Sequence, residues 1–442
     1  MASVLLVRGR NVGWPPFSSL ASKLMNKLGF VPKIITRPLG LSYLSSSVRS
    51  KGHQCEILDL QTCPASQRTD VLRERIRKSS YEFIGFTFFT YGYPEALKMA
   101  EMCKKGSPKT KTILGGPHAS FTSEDILKHN FVDFVMIGEG EKSLSELVSN
   151  GDYRNVNGLV YRDGNKIASN PPELIEDIDS LPIPDREKCI PLRYPYSPID
   201  YIQTSRGCPK RCSFCVESRL FKTMRFRDPK SVVDEIKKLI RQGRKILYLA
   251  DSNFSASRKH VESLCKEVRK NNLKVNLFAE MSIEFTDKEM LKTMSESCFV
   301  GVAFGIESLT NQSLTKMDKT FDGEEYKRKC LDLLNHCKRI GLSCSSYYMV
   351  PLQYQSKDSV MEEIKLLQTY GQVEIMFLTP FPGTPLWEES KDHLLTQDFS
   401  KFDSYHIAYN PSEIVQKDLE AIYRFVVKQN RRSYGKTLLG RA

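Results

Sequence analysis

Three cysteines, Cys208, Cys212 and Cys215, spaced by three and then two residues within Thr204-Ser205-Arg206-Gly207-Cys208-Pro209-Lys210-Arg211-Cys212-Ser213-Phe214-Cys215, constrain this chain more than any other feature. A loop this tight aims three thiolates at one metal centre. A structural zinc needs four protein ligands, and no nearby cysteine or histidine has the spacing to supply the fourth. A four-iron cluster held by three thiolates instead leaves one iron open, and that vacancy is what chemistry requires. The other nine of the 12 cysteines are not clustered in this way. Cys330 and Cys337, on one face of an expected helix, and Cys344 on the next strand read as small buried hydrophobes. No apolar run reaches the roughly 18 residues that span a bilayer, and the N-terminus does not read as a secretory signal. The expected location is therefore cytoplasmic, where thiols stay reduced and a tight cysteine cluster reads as metal-binding or catalytic.

A chain of 442 residues is too long for one ordinary domain. Over residues 1–150, apolar strand signals alternate with helical ones: Val4 to Val7, Cys55 to Leu60, Phe83 to Phe88, Thr112 to Leu114 and Phe131 to Ile137 are separated by helical spacing at Leu39 to Arg49, Val71 to Lys78 and Pro94 to Lys104. That alternation predicts a doubly wound, Rossmann-like α/β domain with a parallel sheet. Ligands of such sheets bind beyond the carboxyl ends of the strands. The loops there are Arg8 to Gly13, Thr87 to Tyr91, Gly115 to His118 and Gly138 to Glu141, and they should surround one pocket. None is the three-glycine dinucleotide pattern, so nicotinamide or flavin binding has no direct support.

Residues 151–198 read as a connector. Asp163-Gly164 marks a two-residue hairpin turn between Asn157 to Tyr161 and Lys166 to Ala168, and seven prolines from Pro171 to Pro198 favour an extended linker. In residues 199–390, strands at Lys245 to Ala250, Val275 to Ala279, Val300 to Gly305, Ser343 to Val350 and Val373 to Leu378 alternate with helices at Pro229 to Arg241, Arg258 to Lys270 and Glu325 to Ile340. These fit a partial (β/α)6 barrel of TIM type, with its site at the carboxyl ends of the strands. Residues 391–442 are expected to be largely helical, with basic residues Arg424, Lys428, Arg431, Arg432 and Lys436 on a segment from Leu419 to Leu439.

The Cys208, Cys212, Cys215 spacing, with Phe214 before the last cysteine, resembles the radical S-adenosylmethionine (SAM) superfamily. The first 150 residues resemble the cobalamin-binding domain that precedes many such enzymes. That likeness is carried by Pro38-Leu39-Gly40-Leu41-Ser42-Tyr43-Leu44, Gly52-His53, Gly115-Gly116-Pro117-His118-Ala119, Asp133 and Gly138-Glu139-Gly140-Glu141. The resemblance implies a [4Fe-4S] cluster on the three cysteines, SAM chelated by its open iron, and a 5′-deoxyadenosyl radical produced when one electron cleaves SAM. It implies SAM contacts from Phe214, Asp251, Glu280, Ser282 and Glu307, although many relatives carry an arginine near Glu280 and Ser282. It implies cobalamin contacts from Asn11, Val12, Thr87, Phe88, Gly115, Gly116, Pro117, His118, Gly138, Glu139 and Gly140. The Asp-x-His-x-x-Gly loop that supplies a histidine to cobalt in many cobalamin proteins is replaced by Arg8-Gly9-Arg10-Asn11-Val12-Gly13.

The implied activity is a cobalamin-dependent methyl transfer to an unactivated carbon or phosphorus centre of a small-molecule or natural-product substrate, with flavodoxin or ferredoxin as electron donor. Relatives in the same class catalyse cyclisation or rearrangement. The formal charge of +13 gathers at both ends and also raises an RNA-modifying radical SAM enzyme, with Cys55, Cys63 and Cys103 as ligands of a second cluster. The short, helical tail leaves no room for the small barrel such enzymes carry. A non-enzymatic carrier of cobalamin or cluster is a third reading, and the basic ends are otherwise a solvated surface.

Overall fold

The computed structural model describes residues 1–10, 35–150 and 152–425. Strands β1 (Ser3–Arg8), β2 (Gln54–Asp59), β3 (Phe83–Thr87), β4 (Lys111–Gly115) and β5 (Phe134–Met136) run parallel in the order β2-β1-β3-β4-β5. A parallel sheet must be covered on both faces. The sequence does this by alternation: Leu5, Val7, Ile84, Phe86 and Leu114 enter one core with Leu72, Met99 and Ile126 from the covering helices. Val4, Leu6, Phe83, Ile113 and Met136 enter the other, with Leu41, Val48, Leu144 and Leu147 from helices Leu39–Ser50 and Gly140–Asn150. The strand order reverses between β1 and β3, the switch point at which doubly wound sheets open a crevice.

The hairpin assigned from sequence to the connector belongs to this sheet. Strands β6 (Leu159–Asp163) and β7 (Lys166–Ser169) add antiparallel to the β5 edge and make it seven-stranded. Arg162 on β6 donates to the carbonyls of Leu127, His129, Asn130 and Val132. One guanidinium thereby satisfies carbonyls that the helix Ala119–Leu127 and the following turn would leave unpaired.

The second sheet contains β8 (Ile199–Ile202) and, after a short antiparallel hairpin of β9 (Ser205–Arg206) and β10 (Arg225–Phe226), β11 (Ile246–Leu249), β12 (Asn276–Met281), β13 (Phe299–Glu307), β14 (Ser343–Val350) and β15 (Gln372–Phe377). All six are parallel and lie in chain order, forming the partial barrel. The returning helices begin where Asp228, Ser257, Asp287, Asp322 and Ser356 accept from backbone N–H groups of the first turn. Leu247, Leu277, Ala279, Phe304, Tyr348, Val373 and Ile375 point outward into the core beneath these helices, which also buries Cys330, Cys337 and Cys344. Alternate residues, among them Tyr248, Glu280, Tyr347 and Glu374, occupy the inner face. Residues 416–425 are helical and contribute Leu419 and Ile422 to the barrel core. The rest of the expected C-terminal helix lies outside the described residues, as do Lys23, Lys27 and Lys33 of the basic N-terminal stretch. No helix among the described residues is long and apolar enough to cross a membrane.

The segment joining the sheets is pinned by buried charge. Glu235, 0% exposed, accepts from Arg186 at 2.6 Å and Arg227 at 2.5 Å, one on each carboxylate oxygen. Removing one partner of such a group strands the others without water, which costs about 3–5 kcal/mol. Glu235→Ala should lower stability by that amount in urea denaturation followed by circular dichroism. Glu173→Ala, which breaks an exposed pair with Lys142, should change it by less than about 1 kcal/mol.

Candidate functional site

The cysteine loop leaves the end of β8 and is held from several sides. Buried Asp251 accepts from the N–H groups of Thr204 (2.7 Å) and Ser205 (3.0 Å), and from both hydroxyls. Burial pushes this carboxyl up, and those four donors work against the rise. Gly207 then turns the chain at φ +94°, where a Cβ would lie 2.5 Å from the Thr223 carbonyl oxygen, so only glycine fits. Further along, the Ser213 N–H donates to Met317 O (3.0 Å), the Ser213 carbonyl accepts from Leu386 N–H (3.1 Å), and the Lys210 ammonium sits 2.6 Å from Glu284. Residues from the segments that follow three later strands thus fix the loop.

Cys212 is buried, and Cys208 and Cys215 are half-buried. Burial pushes all three thiols up, Cys215 to about 12, while the Lys319 ammonium pulls Cys208 and Cys212 downward. Protons must therefore leave as metal binds, and the metal must supply that free energy. No group of three His, Cys, Asp or Glu side chains among the described residues is placed to hold a single metal ion. The thiolates of a four-iron cluster each bind a different iron, so they need not converge on one point. Three sulfurs on one clamped loop, with a cation alongside, are a donor set that fits such a cluster.

Around the loop lie the polar strand ends. The Asn253 amide donates to Ser282 Oγ (3.1 Å) and accepts from Ser255 (2.8 Å), and it also hydrogen-bonds the Cys208 thiol. Glu307 stands at φ +68° with its carboxylate 3.2 Å from the buried Lys319 ammonium. Phe214 packs against the barrel core. Glu280 faces the interior, accepts from Tyr347 (3.1 Å), and is pushed up to about 7 by burial. Asp251 differs from the sequence expectation in one respect: both its oxygens are taken by the chain itself, so its visible work is to position the loop.

A cavity of about 270 Å³ opens at the switch point of the first sheet. Thr87, Gly115, Gly116, Gly138, Glu139 and Gly140 line it, as the sequence pattern predicts. Phe88, Pro117 and His118 do not. His118 is buried in an aromatic cluster, its ring centroid 4.7 Å from Tyr93 and 5.1 Å from Phe399, and Nδ1 lies 3.2 Å from the Thr90 hydroxyl. Burial pushes this imidazole down to about 4. Asn11 and Val12 lie outside the described residues. The lining also includes Leu39 to Leu41, Tyr43 and Leu44 at the start of the first described helix, and Gln203, Arg206 and Phe221 from the barrel side. The helix residues stood in a recognised motif; the barrel residues carried no signal readable from their own neighbourhood.

Arg206 joins the two halves of the molecule. Its guanidinium is 2.6 Å from Glu139 and 2.6 Å from Glu141, and 5.4 Å from the centre of the Tyr43 ring. Glu139 also takes Arg225 at 2.6 Å and the Ile175 N–H at 2.8 Å. Burial alone would raise the Glu139 carboxyl; its two arginines and the Ile175 N–H bring it below its usual value. The side chain of Glu139, expected at a cofactor, is thus consumed in an ion pair, although the residue lines the cavity. The walls are otherwise mostly apolar, the strand ends are glycines that expose backbone, and no histidine lines the cavity. That lining fits part of a large, ring-bearing cofactor bound without a histidine ligand from this pocket.

Residues 27–148 match the B12 binding domain family, and residues 202–367 match the radical SAM superfamily. The chain is 27% identical over 429 residues to an uncharacterized methyltransferase of Pyrococcus horikoshii, covering 92% of this chain and 90% of that protein. It is 28% identical over 386 residues to an anaerobic magnesium-protoporphyrin IX monomethyl ester cyclase of Rubrivivax gelatinosus, covering 83% and 68%. Its fold is similar to the radical SAM methyltransferase TsrM of Kitasatospora setae, solved with cobalamin and a [4Fe-4S] cluster, at a TM-score of 0.71 and 19% identity over 89% of this chain and 75% of that one. With the first match falling on the sheet that carries the glycine-lined cavity and the second on the barrel that carries the cysteine loop, this chain is a radical SAM enzyme of the group with an N-terminal B12 binding domain.

Proposed function

We propose that this enzyme is a cobalamin-dependent radical SAM methyltransferase that places a methyl group on an unactivated carbon or phosphorus centre of a small molecule. The observation that carries the reading is the position of Arg206, which lines the cavity of the first domain and is separated from Cys208 by Gly207 alone. The two cofactor sites are therefore neighbours along one short stretch of backbone. When bound, the cluster supplies the single electron that cleaves SAM, and the corrin supplies a methyl carrier.

The chain's own residues divide the remaining work. Cys208, Cys212 and Cys215 hold the cluster, and Asp251 and Gly207 hold the loop that presents it. Phe214, Ser282 and Glu307 sit at the strand ends around that loop and are assigned to SAM, with Asn253 orienting Ser282 and Lys319 holding Glu307 in place. Thr87, Gly115, Gly116, Gly138 and Gly140 form the floor on which the corrin-side cofactor rests. A small flavin- or iron–sulfur-containing electron donor completes the system. The cyclase name of one relative supports a second reading, in which the same radical closes a ring in place of accepting methyl.

Replacing Cys208, Cys212 and Cys215 together with alanine should abolish bound iron and the release of 5′-deoxyadenosine from SAM under dithionite. Cleavage that persists in this variant would refute the cluster assignment. The cofactor cavity is tested separately. A Cβ at Gly140 already meets Leu44 and Met136 at 3.1 Å, so Gly140→Phe should fill the pocket. After anaerobic loading with hydroxocobalamin and desalting, the variant should retain roughly a tenth or less of the wild-type corrin absorbance, a difference of about 1.4 kcal/mol or more in binding, while still cleaving SAM.

A further inference from the structure

The inner face of the barrel carries acidic and aromatic side chains from several strands and small residues on one. On β13 the interior positions are Gly301, Ala303 and Gly305, between Val302, Phe304 and Ile306 in the outer core. From the neighbouring strand Phe278 covers Gly301, and Tyr248 and Tyr201 continue the row with ring centroids 6.1 Å and 5.8 Å apart in succession. Among them are two carboxylates on different strands, Glu280 on β12 and Glu374 on β15. Tyr347, the ladder neighbour of Glu374, donates to Glu280 at 3.1 Å.

Glu374 is the anomaly. It is 8% exposed, and its Oε1 has no hydrogen-bond partner. No ion pair reaches either Glu280 or Glu374 among the described residues, whereas most other buried carboxylates here, Glu139, Glu141 and Glu235 among them, are paired with arginine. Burial pushes Glu280 up to about 7 and Glu374 up to about 8, and the Glu280 carboxylate adds to the rise at Glu374. The groups that interact with them include Tyr201, Glu217, Glu307, Tyr248, Tyr347 and Tyr405, none of which brings positive charge. Two buried acids with no cation paired to them among the described residues, walled by tyrosines, form a site that a cation would complete.

We propose that Glu280 and Glu374, with the tyrosine wall, bind the protonated amine of the substrate. An ammonium group satisfies the open Glu374 oxygen through a charge-assisted hydrogen bond and gains from the aromatic faces. A hydroxyl fills the same oxygen but brings no charge to favour the ionised carboxylate, as an ammonium does. This inference rests on the radical SAM reading only in placing the substrate within the barrel, and it narrows that substrate to an amine-bearing molecule, such as an amino acid, a peptide or an amino sugar.

The test uses the full chain with benzylammonium as probe and benzyl alcohol as its neutral isostere, each titrated by isothermal calorimetry. The wild-type protein should bind benzylammonium at least about tenfold more tightly than benzyl alcohol, and Glu374→Gln should remove that preference. Equal affinity for the two probes in the wild type overturns the proposal without reference to any variant, and an unchanged preference in a folded Glu374→Gln protein overturns it as well. Release of 5′-deoxyadenosine, measured on the same preparation, separates this inference from the one beneath it. SAM cleavage without cation preference refutes the amine site alone, and cation preference without SAM cleavage refutes the radical chemistry alone.

Discussion

The buried bridge from Arg206 to Glu139 and Glu141 is the contact on which the rest of the arrangement depends. Charges taken out of water are costly, and the attraction between them repays that cost only when the geometry leaves no donor or acceptor idle. Here Glu139 has Arg206, Arg225 and the Ile175 N–H, and Arg206 divides its two terminal nitrogens between two carboxylates, while Arg225 keeps two buried nitrogens without a hydrogen-bond partner. A shift of one sheet against the other would strand several charges at once. The bridge thus sets the register between the glycine-bearing loop of the first sheet and the chain that enters the cysteine loop.

A second buried network does the same for the connector. Arg186 and Arg227 meet on Glu235, and Arg186 also lies 3.3 Å from Asp200. Arg225 and Arg227, two residues apart, therefore feed different networks, one facing the B12 binding domain and one facing the connector. Dispersion and hydrophobic burial stabilise each sheet internally, but directional charge pairs decide how the sheets meet.

Much of this was legible in the sequence because it is written locally. Alternation of apolar residues announces strands, helical spacing announces the barrel helices, and the spacing of Cys208, Cys212 and Cys215 places three thiols on one short loop. The cavity floor at Gly115, Gly116, Gly138 and Gly140 was legible for the same reason. What escaped is what depends on partners distant along the chain. Arg206 finds Glu139 across 67 positions and Arg225 finds it across 86, and nothing near either arginine names a carboxylate there. Asp251 reads as a ligand-facing residue until its two oxygens are seen occupied by Thr204 and Ser205. His118 reads as a cofactor contact until Tyr93 and Phe399, the latter from the far end of the chain, close around it. The hairpin of β6 and β7 was visible as a hairpin, but the sheet it would join was not, since an edge strand's pairing depends on which edge is free.

The composition of the cavity wall has a consequence for the order of assembly during synthesis. Its floor is complete once residue 144 has been made, yet Gln203, Arg206 and Phe221 supply the remaining side, and Glu139 and Glu141 meet their guanidinium only when Arg206 has emerged. A nascent chain that ended before the barrel would expose an open apolar trough flanked by unpaired acids. Domains fold as units from the N-terminus as they are made, so the first sheet forms early but its pocket is finished late. The pocket is therefore closed on its second side only after the second domain docks.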